Sequence, residues 1–183
     1  MTKSARNGAL ALAIAAALTT SACSDPSAPP AATTPARTTA APTTKASETT
    51  SADPHLTAAQ AAVATFWSLV DALGSDPKRS LDELTIVARG QALETWRELL
   101  TQRRRQAHTQ LGTTSIVSSE ASSNGDKVTV DTCIDVSKTS LVDKDGKSVV
   151  AANRAPRVRY TSVVEQGTDG KYYVMQDKAV ETC

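Results

Sequence analysis

The sequence predicts an α+β fold over residues 55–183, with N-terminal helices packed on a curved antiparallel sheet of about four strands. Apolar residues from Val63 to Leu100 recur at helical spacing between helix start and stop signals, and after Gly112 the pattern changes to alternation. Three Asx-Gly pairs, Asn124-Gly125, Asp145-Gly146 and Asp169-Gly170, then stand between stretches of strand character, which is the strongest short-range sign of hairpins. Helices first and a meander afterwards place one helical layer on one face of a sheet.

Residues 1–22 read as an export signal. Lys3 and Arg6 form a positive start, residues 9–18 an Ala/Leu/Ile run, and Ala22 the small residue before a cleavage point. The run is much shorter than the roughly 20 apolar residues of a transmembrane helix. Thr20-Ser21-Ala22-Cys23 resembles a bacterial lipobox, with Thr20 where Leu, Val or Ile is usual. The resemblance implies that Cys23 becomes the first mature residue and carries diacylglycerol, with palmitate-like chains, on its sulfur. Of three cysteines, Cys23 lies apart from Cys133 and Cys183, and lipidation accounts for the odd one. Each buried methylene contributes about 0.8 kcal/mol, so two or three chains form an effectively permanent anchor. The expected location is the outer face of the cytoplasmic membrane, in the cell envelope.

Residues 23–54 read as the lipidated cysteine followed by a disordered linker. From residue 24 to 54 there is no aromatic side chain and no aliphatic one larger than alanine, and Pro26, Pro29, Pro30, Pro35, Pro42 and Pro54 interrupt runs of Thr, Ser and Ala. Such a segment cannot bury enough apolar surface to offset its ordering entropy. It would span roughly 30 Å as a coil and on the order of 90 Å if stiffened by proline. Without Lys3 and Arg6 the mature chain has 18 basic and 19 acidic residues, a net of −1. That balance favours neither nucleic acid nor an anionic lipid surface as partner.

Within the folded part, Thr57-Ala58-Ala59-Gln60 reads as a capping box. Val63, Phe66, Trp67, Val70 and Leu73 follow on one helix face, ended by Gly74 and Pro77. Ser80-Leu81-Asp82-Glu83 reads as a second capping box, opening a short helix to about Ala88 that Gly90 breaks. A third helix is expected over residues 91–107, with Leu93, Trp96, Leu99 and Leu100 on one side. Arg103, Arg104 and Arg105 crowd its last turns, where cations suit the helix dipole. Strands follow at about 114–122, 127–136, 157–166 and 171–180, with a smaller hairpin near Asp145. The element order, together with the run Cys133, Asp145-Gly146-Lys147, Arg157, Gly170-Lys171-Tyr172-Tyr173-Val174 and Cys183, resembles the NTF2-like (cystatin-like cone) superfamily. It is similar in particular to small actinobacterial lipoproteins. The resemblance implies a cone that hosts isomerases, dehydratases or non-catalytic binding modules, and so does not itself select a function.

Cys133 shares a strand face with Lys127, Thr129, Asp131 and Asp135, opposite Val128, Val130, Ile134 and Val136. In an oxidising compartment the two remaining cysteines give one possible disulfide, Cys133 to Cys183. Phe66, Trp67, Trp96, Leu100, Tyr160 and Tyr173 are the core aromatics and aliphatics available to line a pocket. In enzymes of the resembled superfamily His/Asp pairs act in such a pocket, which would cast His108 as base and Asp131 or Asp135 as its orienting carboxylate. The position of His108 suits a surface cation at a helix end better, because a helix C-terminus favours a cation in any case. His55 is expected to be exposed. Arg97, Arg103, Arg104, Arg105, Arg154, Arg157 and Arg159 read as a solvated face, interleaved with acids.

Two histidines, no Cys-x-x-Cys and no His-Glu-x-x-His give no basis for a metal site, and no cofactor is expected. Asp145-Gly146-Lys147-Ser148 has the ending of a phosphate loop but Leu141 in place of its first glycine, so it reads as a turn. The leading expectation is a monomeric, non-catalytic, lipid-anchored envelope module that binds a protein or small apolar ligand. One alternative is a pocket enzyme of isomerase or dehydratase type. Another is a phage or prophage lipoprotein that excludes superinfection.

Overall fold

The computed structural model describes residues 53–183; the expected signal peptide, Cys23 and the linker up to residue 52 lie outside the described residues. Helix α1 is Pro54–Ser75, capped by Asp53, whose carboxylate accepts from the His55 N–H at 2.9 Å. Proline suits the first helical position, where no N–H is needed. The helix therefore starts before the expected capping box. Thr57 donates to the Asp53 carbonyl, and Gln60 Nε2 donates to the Ser119 carbonyl at 2.7 Å, so neither completes a box. Helix α1 ends at Ser75, between Gly74 and Pro77, as the sequence predicts. A Cβ at Gly74 would lie 3.0 Å from Gln110 Oε1, so the missing side chain admits a close approach inside the helix. By length and hydropathy α1 could cross a membrane, but Ala59, Val63, Phe66, Trp67, Val70 and Leu73 form a buried face in the core.

The second expected helix is a 3₁₀ segment, Leu81–Ile86, in which Ser80 accepts from the Asp82 N–H and Glu83 pairs with Arg79. Helix α2 is Gly90–Arg105. It ends in a Schellman arrangement: the His108 N–H donates to the Arg103 carbonyl at 2.8 Å and the Ala107 N–H to the Arg104 carbonyl at 3.0 Å. Ala107, at φ +53°, takes the left-handed position that glycine usually fills.

The strands are β1 Thr109–Leu111, β2 Ser115–Asn124, β3 Lys127–Asp135, β4 Ser140–Val142, β5 Arg157–Gln166 and β6 Tyr172–Glu181. Strands β2-β3-β5-β6 form one antiparallel sheet in that order. Strands β1 and β4, of which only the region near Asp145 had a sequence signal, form a separate ribbon flanking the β2–β3 hairpin. Between β1 and β2 the chain passes Gly112, at φ +75°, whose Cβ would fall 2.0 Å from the Lys138 carbonyl oxygen. Only glycine fits that crossing.

Register irregularities at Ile116/Ser118, Arg159/Tyr160 and Val163/Val164 insert extra residues and bend the sheet. Val128, Val130, Ile134, Val164 and Val174 pack from the sheet against α1, Leu84 and the α2 residues Ala92, Trp96 and Leu100. The helix-on-sheet architecture is thus the expected α+β one. On the outer face Cys133 and Cys183 are joined, Cα to Cα 6.0 Å, which carries the end of β6 across β5 to β3.

Candidate functional site

Between α1, α2 and the sheet lies a cavity of about 210 Å³. The helical periodicity of α1 places Trp67 and Val70 on its wall, α2 contributes Trp96 and Arg103, and Tyr160 enters from β5. Trp67 packs edge-on against Tyr160 with ring centroids 4.7 Å apart and against Trp96 at 5.1 Å. Such edge-to-face pairs contribute beyond area burial and fix ring orientation. Of the six residues expected to line a pocket, Trp67, Trp96 and Tyr160 do so. Phe66 and Leu100 are instead filled core positions: Phe66 packs 5.9 Å from Trp96, and Leu100 is buried. Tyr173 stands elsewhere, with its hydroxyl donating to Asp169 at 2.7 Å and the Arg89 guanidinium 3.9 Å over its ring.

The polar groups of the cavity were not legible as a set. Asp71, buried on the apolar face of α1, accepts from Gln110 Nε2 at 2.6 Å and from the Thr114 N–H and hydroxyl at 2.7 and 2.8 Å. These bonds satisfy its charge. Gln110 faces Arg103 with its other atom, Oε1, 3.5 Å from Nη1. Burial pushes the Arg103 guanidinium down from its ordinary value, against the attraction of Asp71. Behind the wall Asp177 is 5% exposed and accepts from Trp96 Nε1 at 3.0 Å and Ser162 Oγ at 2.7 Å. It is pushed up to about 6, chiefly by burial. Tyr160 is also raised, by burial first and then by Asp177.

His108, Asp131 and Asp135 do not line the cavity. His108 follows the α2 cap, whereas Asp131 accepts from Thr161 on the outer sheet face and Asp135 pairs with Arg157 at 3.1 Å. Hydrogen bonds from Ser137 and Arg157 hold Asp135 down to about 2. Strand alternation is the reason: residues 131 and 135 point away from the face that covers the core. His55 is half-buried, with Nδ1 2.6 Å from the Tyr172 hydroxyl.

The arginines are also not a common solvated face. Arg103 faces the cavity, Arg97 pairs with Asp82, Arg159 with Glu181, and Arg154 donates to the Val136 and Thr139 carbonyls at 2.7 and 2.8 Å. They clamp loops and neighbouring elements.

No protein-family model matches the chain, and no curated protein does. Among solved structures, the chain is similar to the intermembrane space region of the chloroplast protein ARC6. The TM-score is 0.52 at 15% identity, covering 69% of this chain and 97% of that one. A de novo designed β-sheet protein (TM-score 0.36, 13% identity, 67% of this chain and 88% of that one) and a structure from Catenulispora acidiphila (0.35, 15%, 69% and 86%) carry no argument at those scores. The ARC6 likeness shows the arrangement of helices on an antiparallel sheet and nothing of function.

Proposed function

We propose that the chain is a lipid-anchored module of the cell envelope, with an NTF2-like folded part that binds a small, largely apolar ligand without transforming it. The observation that carries the binding reading is the cavity of about 210 Å³, walled by Trp67, Trp96 and Tyr160. Concave apolar sites with a few convergent polar groups are where proteins hold small molecules. The separation of His108 from both Asp131 and Asp135 supports a binding role over the isomerase or dehydratase alternative. The anchor, export signal and linker rest on the pattern Lys3 to Cys23 and the proline-rich stretch after it.

Binding is tested by tryptophan fluorescence of the full chain, whose two tryptophans both line the cavity. Titration with phenylacetamide, an uncharged aromatic probe, is expected to change the emission saturably, and Tyr160→Ala to weaken the effect. An emission unchanged both by this probe and by its acid, phenylacetate, would remove the binding reading. Place is tested separately: Cys23→Ser is expected to leave the membrane fraction and to lose incorporation of labelled palmitate in cells.

A further inference from the structure

We infer that the cavity selects a small organic carboxylate, with its acid group on Arg103 and its apolar body between Trp67, Trp96 and Tyr160. The inference rests on the binding reading above and names the class of ligand. Arg103 is half-buried, yet among the described residues it makes no ion pair. The nearest acid on the cavity, Asp71, already accepts three hydrogen bonds from Gln110 and Thr114, so its oxygens are engaged.

The charges on the wall are Arg103, Arg154 and Asp71, a net of one positive charge around an aromatic interior. Arg154 is committed to the Val136 and Thr139 carbonyls, which leaves the Arg103 fork as the free donor. A guanidinium with only a 3.5 Å contact to Gln110 Oε1 is poorly satisfied, and a carboxylate matches its planar donor pair. A volume of 210 Å³ equals that of about seven waters at roughly 30 Å³ each, and covalently linked atoms pack more closely than separate waters, so it admits a ligand of somewhat more than seven non-hydrogen atoms. A single ring or branched chain with one acid group fills it.

The test compares phenylacetate, phenylacetamide and inorganic phosphate on the full chain, read by tryptophan fluorescence and by the indole N–H resonances. Phenylacetate is expected to bind at least about tenfold more tightly than the amide, the range of a hydrogen bond to a charged group. Phosphate, which lacks the apolar body, is expected to bind weakly or not at all. In Arg103→Met the preference for the acid is expected to vanish while phenylacetamide still binds, which also shows that the variant is folded. Equal binding of acid and amide by the parent chain would overturn the carboxylate assignment and leave the cavity reading standing. Phosphate binding as tightly as phenylacetate would overturn the pairing of charge with aromatic body. No response to any probe up to about 10 mM, weaker than small ligands of this size commonly bind, would overturn both readings.

Discussion

Trp96 donates its indole N–H to Asp177 Oδ2 at 3.0 Å, joining α2 to β6 through two buried side chains. The carboxyl of Asp177 is raised from 3.8 to about 6, so the native state holds a proton that the unfolded chain has released. This group's contribution to stability is therefore full below pH 4 and is lost as pH rises through about 6. The loss is on the order of 3 kcal/mol for a shift of this size. Denaturant unfolding of Asp177→Asn at pH 4 and pH 7 is expected to show a much smaller fall than the parent. An equal fall in both would mean that Asp177 is not the source.

Joining Cys133 to Cys183 closes a separation of 50 residues. In the chain-entropy treatment such a loop contributes about 4 kcal/mol through the unfolded state. The double variant Cys133→Ala/Cys183→Ala is expected to unfold at lower denaturant by that amount. Thiol titration of the unfolded parent chain is expected to find these two sulfurs blocked until a reductant is added.

At Ala107 the backbone takes φ +53° with a Cβ in place. The left-handed conformation costs an L-residue other than glycine roughly 1–2 kcal/mol. Ala107→Gly is expected to raise stability by about 0.5–1 kcal/mol, the rest being returned as unfolded-state entropy. Calorimetry would register it as a higher Tm. A lower Tm would contradict the cap geometry.

Gly112 and Gly146 separate conformation from contact. Both have φ near +75° to +79°, but only at Gly112 would a Cβ meet backbone, 2.0 Å from the Lys138 oxygen. Gly146→Ala is expected to cost about 1–2 kcal/mol. Gly112→Ala must displace the Lys138 backbone as well and is expected to cost about 3 kcal/mol or more. Similar losses at the two positions would show that the crossing yields easily.

Much of the fold was legible because hairpin chemistry is local. Gly125, at φ +64°, occupies a tight turn between Asn124 and Lys127, and the strand limits around it follow from alternation. The helix starts were less legible. A Ser/Thr-x-x-Gln/Glu pattern gives the same signal whether or not its side chains turn back, and Gln60 reaches the sheet instead.

The cavity was half legible. Trp67 and Trp96 fall on apolar helix faces, and Asp71, a charge beside the stripe of Val63, Phe66, Trp67 and Val70, is the sequence's own mark of a polar group inside. Asp177 was hidden by the irregularity at Val163/Val164. It leaves Met175 without an opposite residue, so the alternation that turns Val174 inward brings Asp177 inward too. Arg103 looked like its neighbours Arg104 and Arg105, and only the turn of α2 toward the sheet distinguishes it.

The ribbon of β1 and β4 depends on the hairpin it flanks. Its strands flank the β2–β3 hairpin, so once Ser115 has zipped to Asp135 the ends of the ribbon are held close and its closure costs little further loop entropy. Gln110, Ser140 and Leu141 belong both to that ribbon and to the cavity wall, so on this side the wall is held by three residue pairs that are separate from the main sheet.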